Sequence, residues 1–436
     1  MKKLNTLFGF IWLIIAVFSS EITLAWLFSA DGVIAPGSLR IIRTFSCLFL
    51  IVGIISFLFR RYAIVTKLNL FVFSLLLAFS VLEMTLRKMP QQDAYEREIE
   101  RQKIRTIDPY LHHALVPMTN AIVWWGAVPV RYFSNSLGYR DKSCRVVLPE
   151  STNDYRVLFA GDSFTESVGV SWENSFIQIL GDMLKERSLD VEILNSGVSS
   201  YSPLLYYRRL EQFFEMGYSA DLVVIMFDIT DIFGEAVDLE HFTVFSENEL
   251  DKKEAYRKKY LQDIVESKRN AEAYGKIYPV SIWYLNLVWQ YLINNEHAWD
   301  RWLNEADGTY AWTEDNHYNK PWVIHGIERC KSWLHKSVEL CQMNETPVII
   351  VIYPQPAQLL SDIVPSRHQV IFNEFFETNG IISIDLFPTF HELRDWRPYF
   401  IRDLVKGDNH WNERGHQLVA RSLEIPISSL VTNQAQ

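Results

Sequence analysis

The apolar positions of the chain fall into two different patterns. The first part of the chain carries three long and nearly uninterrupted apolar stretches, at about 6–30, 41–59 and 62–86. Each of them is close to the length of about 20 residues that a helix needs to cross a bilayer. The pattern therefore predicts a transmembrane anchor of three helices over residues 1–90.

Basic residues beside these stretches predict their orientation. Lys2 and Lys3 precede the first stretch, and Arg60 and Arg61 join the second to the third. Because basic loops tend to stay in the cytoplasm, the rest of the chain is predicted to lie on the extracytoplasmic side. A cleaved signal peptide over residues 1–30 is the alternative, but the apolar run is too long for one and no small-residue cleavage site follows it.

Short apolar runs alternate with helical periodicity in the remainder of the chain. Residues 91–150 are expected to form a linker and lead-in segment. Strands are predicted at 156–160, 191–194, 221–227, 347–353 and 381–385, and helices at 172–187, 203–216, 322–343, 366–378 and after Asn412. This alternation predicts a three-layer α/β/α domain over residues 151–430, flavodoxin-like, with a parallel sheet of about five strands.

One segment interrupts the alternation. The residues at about 232–320 are rich in Trp and Tyr and are too numerous for an ordinary loop, so we expect an inserted cap or subdomain. Its aromatic residues between 278 and 323 are suited to stacking on sugar rings, or equally to packing the cap against the sheet or the membrane surface.

The net charge of the chain limits the kinds of molecule that it can bind. The chain of 436 residues has a formal net charge of -10 and no basic block. Neutralising nucleic-acid phosphates requires clustered Lys and Arg, so nucleic acid is excluded as a partner. Membrane lipid, contacted through the N-terminal helices, is the expected partner of the anchor.

A candidate nucleophile stands at the end of the first predicted strand. Residues 156–163 read RVLFAGDS, so Ser163 follows a strand and a glycine where the next helix begins. Free N–H groups at a helix start can hold developing negative charge beside such a serine. An ordinary turn with a serine N-cap is the simpler alternative.

Other polar residues follow the remaining strands. Gly197 lies in the block after the second strand, Thr230 in FDITD after the third, and Asp408 and His410 precede the last helix. The carboxyl ends of parallel strands meet at one edge of the sheet, where ligands bind. Asp408 and His410 are two positions apart, so in an extended segment both face the same side. A Ser, His, Asp constellation is therefore expected at this edge.

These blocks resemble those of the SGNH, or GDSL-like, hydrolase superfamily over about residues 108–425. The superfamily carries Gly-Asp-Ser, a later lone Gly, Gly-x-Asn-Asp and Asp-x-x-His. Gly161-Asp162-Ser163 matches the first block, and the run at 135–140 (NSLGYR) resembles a segment of membrane-anchored bacterial members. Two departures are clear: Thr230 stands where the third block has asparagine, and one residue instead of two separates Asp408 from His410.

The resemblance implies roles for these residues. Ser163 would be the nucleophile, His410 its base and Asp408 the acid that orients His410. The oxyanion hole would consist of the N–H groups of Ser163 and Gly197 and a side-chain donor, here the Thr230 hydroxyl. No cofactor and no metal is implied.

The expected function is that of a serine esterase or O-acyltransferase held in the bacterial inner membrane by several helices. Its domain would face the periplasm, and its substrate would be an acylated cell-envelope glycan or another ester. The alternative, raised by the altered third block, is a non-catalytic accessory or binding subunit of an envelope polysaccharide modification or export system.

Overall fold

The chain folds into two compact units, each described here by itself. The computed structural model describes residues 2–28, 36–88, 94–125, 128–275, 308–313, 318–401 and 408–433. One unit comprises Met1–Gln92 and Ser267–Asn286, and the other comprises Asp93–Glu266 and Leu287–Gln436.

The first unit is built from apolar helices, α1 (Lys2–Phe18), α2 (Glu21–Phe28), α3 (Pro36–Leu58) and α4 (Ala63–Lys88). A small polar cluster joins three of them. The Trp12 indole N–H of α1 and the Ser56 hydroxyl of α3 both donate to Asn69 Oδ1 of α4, at 2.9 and 3.0 Å. Bonds of this kind satisfy polar groups inside an apolar bundle.

The prediction of three membrane-spanning helices is not supported. Within the described residues, one helix, Ala63–Thr85, is long and apolar enough to cross a membrane, and the apolar helix Ile42–Leu58 is shorter. The first stretch ends as α1 at Phe18, and Glu21 begins a separate helix. At about 1.5 Å per residue, the 17 residues of α1 extend about 26 Å, short of a hydrocarbon core of about 30 Å.

The second unit contains one large sheet. Its strands are β1 (Arg105–Asp108), β2 (His112–Leu115), β3 (Asn120–Trp125), β4 (Val128–Ser134), β5 (Arg140–Asp141), β6 (Tyr155–Ala160), β7 (Val191–Asn195), β8 (Leu222–Phe227), β9 (Val348–Ile352) and β10 (Ser383–Asp385). Eight of them form the sheet in the order β10-β9-β8-β6-β7-β5-β4-β3. Strands β6 to β10 are parallel. Numbered from β6, their order is 2-1-3-4-5, the flavodoxin-like order, so the predicted α/β fold with a mostly parallel sheet is confirmed.

The sheet is larger than the five predicted strands. Strands β3, β4 and β5 extend it with antiparallel pairings, and β5 joins the parallel part through a single pair, Arg140 with Asn195. The segment expected to be a linker and lead-in thus contains β1 to β5 and a helix. β1, β2 and β5 have at most four residues, and β4 contains Pro129, which disfavours a strand, so no clear strand signal is present in the sequence there.

Helices cover both faces of the sheet. After α5 (Ala94–Lys103) they are α6 (Ser163–Glu166), α7 (Phe176–Glu186), α8 (Pro203–Glu215), α9 (Thr230–Phe233), α10 (Glu247–Gly275), α11 (Pro321–Met343), α12 (Pro356–Leu360), α13 (Arg367–Thr378), α14 (Phe387–His391) and α15 (Glu413–Asn433). Along β6, Val157 and Phe159 belong to a core shared with α7 and α15, whereas Leu158 and Ala160 belong to a core shared with α8 and α11. Alternate side chains of a strand face opposite sides, so the domain has three layers.

The inserted segment is described in part. It begins with α9, passes through a π-helical turn at Gly234–Asp238 and continues as α10. Residues 276–307 and 314–317 lie outside the described residues, and they include most of the aromatic residues expected to form a cap. Two aromatic residues of the insertion that are described, Tyr310 and Trp312, are buried.

Candidate active site

The turn after β6 presents Ser163 at the carboxyl edge of the sheet. Asp162 caps α6, because its Oδ1 accepts the Phe164 N–H at 2.9 Å, and Ser163 is the first residue of that helix. A Cβ on Gly161 would lie 2.0 Å from the Thr165 hydroxyl oxygen. This position therefore admits only glycine without a shift of its neighbours.

The structure brings Ser163, His410 and Asp408 together. His410 Nε2 lies 2.7 Å from Ser163 Oγ, and His410 Nδ1 lies 2.6 Å from Asp408 Oδ1. Both distances are within the range expected for a nucleophile, its base and an orienting acid. The side chains of Asp408 and His410 are only 14% and 12% exposed, so bulk water has little access to this chain of hydrogen bonds.

Aromatic rings fix the orientation of His410. The Phe164 ring lies against it with centroids 4.8 Å apart, and the Trp125 ring meets it edge to face at 5.1 Å. Packing on two sides restricts rotation of the imidazole. Its Nε2 thus stays directed at Ser163.

Asp408 has a second partner that sequence reasoning missed. The Trp125 indole N–H donates to Asp408 Oδ2 at 2.5 Å. Burial opposes ionisation of Asp408, but the hydrogen bonds and charge of His410, together with the Trp125 N–H, lower its pKa below the usual value. Trp125 lies 283 residues away in sequence, and no motif marks it.

The three predicted oxyanion donors differ in availability. Within the described residues, the Ser163 N–H has no hydrogen-bond acceptor. The Gly197 N–H donates to Asn195 Oδ1 at 3.0 Å, and the Thr230 hydroxyl donates to Asp228 Oδ1 at 2.6 Å. An oxyanion would have to compete with these acceptors for Gly197 and Thr230, so their part in an oxyanion hole stays a prediction.

Three buried carboxyl groups form a cluster that includes Asp162, the residue before Ser163. Asp162, Asp228 and Asp231 are each at most 4% exposed. Burial and the charge of Asp228 raise the pKa of Asp162 to about 7. Burial likewise raises the pKa of Asp228, and burial with the charges of its two neighbours raises that of Asp231. Within the described residues, no group of His, Cys, Asp and Glu side chains is placed to hold a metal ion.

An amide and hydroxyl network connects this acid cluster to the segment carrying His410. The Gln355 side chain donates to Asp228 and accepts from the Tyr310 hydroxyl. Asn409 Nδ2 donates to Gln355 Oε1 at 2.8 Å. Asn409, which lies between Asp408 and His410, is thus connected through Gln355 to Asp228, the residue that follows β8. The sequence pattern does not reveal this connection.

Arg140, from the NSLGYR run, supports the far end of α6, the helix that begins at Ser163. Its guanidinium donates to the carbonyl groups of Glu166 and Val170, both at 2.6 Å, and to that of Ser167. The Glu166 carboxylate forms an ion pair with Arg105 at 2.8 Å. Arg140 and Glu166 are each 1% exposed. The run therefore supplies a buried clamp for the loop that follows Ser163.

No protein-family model and no curated protein matches the chain. Among solved structures, it is similar to a member of the lipolytic protein G-D-S-L family from Veillonella parvula, at 14% identity over 62% of this chain and 95% of that one, with a TM-score of 0.33. An acetylxylan esterase from Geobacillus stearothermophilus, a catalytic mutant, is similar at 14% identity over 63% and 94%, with a TM-score of 0.34. The acetyl xylan esterase AlAXEase is similar at 14% identity over 62% and 99%, with a TM-score of 0.36.

These similarities are too weak to bear on substrate or mechanism. The fold itself follows from this chain's own strands and turns. A parallel sheet of order 2-1-3-4-5 carries a Gly-Asp-Ser turn after its first strand, and His410 meets Ser163 at that edge. The chain therefore has a flavodoxin-like α/β fold, the fold that the sequence resemblance to SGNH hydrolases predicts.

Proposed function

We propose that this protein is a serine ester hydrolase or O-acyltransferase in which Ser163 is the nucleophile. The observation that carries the proposal is the continuous chain of short hydrogen bonds from Ser163 Oγ through His410 to Asp408, at 2.7 and 2.6 Å. A serine hydroxyl is a weak nucleophile unless an adjacent base takes its proton. His410 is in position to do so.

The reaction proceeds in two steps. Ser163 Oγ attacks the acyl carbonyl carbon while its proton passes to His410 Nε2. The tetrahedral intermediate then collapses, the ester C–O bond breaks, and His410 returns the proton to the departing alcohol. Water, or a hydroxyl of an acceptor, attacks the resulting acyl-serine through the same base and regenerates Ser163.

The Ser163 N–H is the donor best suited to hold the oxyanion, because it has no other acceptor within the described residues. The helix start at α6 adds little beyond this single N–H, since the Phe164 N–H is already bound to Asp162. With fewer free donors than three, a slow reaction is expected: each donor contributes roughly a hundred- to a thousandfold in rate.

We further propose that the substrate is an acylated glycan of the cell envelope and that the protein is attached to the bacterial inner membrane. Helix Ala63–Thr85 supports attachment by its length and composition. Arg60 and Arg61 precede it, which favours a cytoplasmic start and a periplasmic hydrolase domain. A glycan substrate is supported by the resemblance of the run at 135–140 to a segment of membrane-anchored bacterial members of the SGNH superfamily.

The experiment is a pre-steady-state assay with the full-length protein in detergent and 4-nitrophenyl acetate. The proposal predicts a burst of nitrophenol equal to the active-site concentration, followed by slower turnover. Ser163→Ala should abolish both, while Ser175→Ala, which removes a buried serine that caps α7, should keep the burst. Equal turnover by wild type and Ser163→Ala would refute the nucleophile.

One observation favours a second candidate, a non-catalytic glycan-binding subunit. Both the Gly197 N–H and the Thr230 hydroxyl are held by internal acceptors, which weakens the oxyanion hole. Isothermal titration calorimetry with acetylated oligosaccharides tests this alternative. Binding without release of acetate, unchanged in Ser163→Ala, would support it, whereas acetate release by the wild type would exclude it.

A further inference from the structure

The contact between Trp125 and Asp408 has no part in the two steps described above. A triad acid needs one oxygen to orient the imidazole, and Asp408 Oδ1 supplies it. The other oxygen, Oδ2, accepts the Trp125 indole N–H at 2.5 Å. Hydrogen bonds to an ionised acceptor are short and about twice as strong as neutral ones.

Trp125 reaches the site from outside the parallel sheet. It ends β3, the edge strand, whose hairpin with β4 is joined to the parallel part through β5. Gly169, in the loop after the nucleophile helix, packs on the indole so closely that a Cβ there would lie 2.9 Å from Trp125 Cδ1. The antiparallel extension and that loop thus hold the indole in place.

We propose that Trp125 is a positioning residue for the reaction, fixing the Asp408 carboxylate so that Oδ1 faces His410. This inference rests on the proposed function. Asp408 is followed within two residues by His410, in a short segment between residue 407 and α15, and its carboxylate can rotate about χ2. Donors on both oxygens, His410 on one side and Trp125 on the other, remove that freedom.

The indole N–H also moderates the charge on Asp408. It neutralises part of the negative charge on Oδ2, in a side chain only 14% exposed. Without this donor, the pKa of Asp408 would be higher, because the Trp125 N–H is one of the groups that lower it. The carboxyl group would then stay protonated to a higher pH, and a protonated carboxyl is a weaker acceptor for the ring N–H of His410.

The test measures the rate of Ser163 labelling by a fluorophosphonate between pH 5 and 9, using the full-length protein in detergent. Trp125→Phe keeps an aromatic ring and removes the N–H. Trp172→Phe is the matched control, because it removes an indole N–H bonded to Gln178 at 2.7 Å. We expect Trp125→Phe to label about 10- to 100-fold more slowly, with the acid limb of the profile moved to higher pH. The control should match the wild type in both respects.

A double-mutant cycle separates positioning from general loosening. In the Asp408→Asn background, Trp125→Phe should slow labelling by less than about threefold, because the orienting carboxylate is already gone. A variant that labels as fast as the control would overturn the proposal. So would a slower variant whose acid limb does not move and whose effect is as large in the Asp408→Asn background, since that result indicates a structural role only.

If Trp125→Phe does not fold, the Trp125 hydrogen bond can be observed in the wild type by NMR. In protein labelled with ¹⁵N at its indoles, one indole proton should lie well downfield and should move upfield in Asp408→Asn. Indole spectra identical in the two proteins would overturn the Trp125 bond. Absence of labelling in the wild type would instead overturn the proposed function, and the Trp125 role with it.

Discussion

Asp408 Oδ1 accepts two hydrogen bonds from His410, one from its backbone N–H at 2.8 Å and one from its ring Nδ1 at 2.6 Å. This arrangement explains how an acid only two positions from the histidine can serve it. The backbone bond folds the segment so that the carboxylate reaches Nδ1 of the ring. The departure from Asp-x-x-His spacing therefore leaves the contact intact.

The first prediction concerns this contact. Asp408→Asn should lower kcat for 4-nitrophenyl acetate by up to about 10⁴-fold, because an amide in place of the carboxylate favours the wrong imidazole tautomer. Asp395→Asn, at an exposed acid, should stay within twofold of the wild type. A kcat unchanged in Asp408→Asn, with circular dichroism confirming the fold, would show that Asp408 does not orient His410.

The second prediction concerns Thr230. Its hydroxyl proton is committed to Asp228 Oδ1 at 2.6 Å, whereas an asparagine amide has two N–H donors and can serve both Asp228 and an oxyanion. Thr230→Asn should therefore raise kcat at least about tenfold, since a full donor contributes more than that. Thr230→Val, which supplies no donor, should change kcat by less than about threefold. No gain in Thr230→Asn would place the oxyanion away from this residue.

The third prediction concerns pH and the stability of the fold. The pKa of Asp162 is raised to about 7 in the folded protein from an ordinary value of 3.8. Between these values the folded state binds more protons than the unfolded state, so this group makes stability fall as pH rises from about 4 to 7. Asp162→Asn, which stays neutral, should weaken that fall.

Urea denaturation at pH 5 and pH 8 measures the effect. The difference in free energy of unfolding between the two pH values should be smaller in Asp162→Asn than in the wild type. Asp182→Asn, at an exposed acid on α7, serves as the control and should leave the difference unchanged. An equal pH dependence in Asp162→Asn and wild type would mean that Asp162 is ionised in the fold at pH 5.

The fourth prediction concerns Arg140. A lysine cannot reach the three carbonyl groups that the Arg140 guanidinium binds. Arg140→Lys should lower the free energy of unfolding by about 2 to 4 kcal/mol, because buried carbonyl groups lose their donors. Arg131→Lys, at an exposed arginine of β4, should stay within about 0.5 kcal/mol of the wild type. Similar denaturation midpoints for the two variants would contradict the clamp.

The fifth prediction concerns membrane attachment. Leu75 and Leu77 are exposed side chains near the middle of helix Ala63–Thr85. Replacing both with arginine should release the protein from carbonate-washed membranes, since each arginine costs about 2.5 to 3.5 kcal/mol at a helix centre. The double isoleucine variant should stay in the pellet. Retention of the arginine variant would refute this helix as the anchor.

The parallel sheet was predictable because its signals are local. The strands β6 to β10 are short apolar runs, Ser163 stands in a block directly after β6, and His410 stands in a block directly before α15. The bounds of α8 and α11 lie within one residue of those expected from helical periodicity. Strands and helices of this kind are specified by strong periodicity and by the turn residues beside them, without information from distant segments.

The rest of the site depends on contacts between distant segments. Trp125 reaches Asp408, and Gln355 reaches Asp228, across intervals that no periodicity marks. The expectation of three spanning helices is not supported, and for the first stretch the reason is related, since apolar length alone does not reveal the break before Glu21. Partners of buried polar groups are set by the fold as a whole.

Activation of Ser163 by His410 is the central step of the proposed reaction, and covalent labelling measures that activation directly. The full-length protein would be treated with a fluorophosphonate at pH 8, and the modified peptide would be identified by mass spectrometry in wild type, Ser163→Ala and His410→Ala. We predict one adduct, on Ser163 of the wild type, absent in Ser163→Ala and formed at least about a hundredfold more slowly in His410→Ala. A folded wild-type protein that forms no adduct at Ser163, or forms it equally fast without His410, would contradict the account.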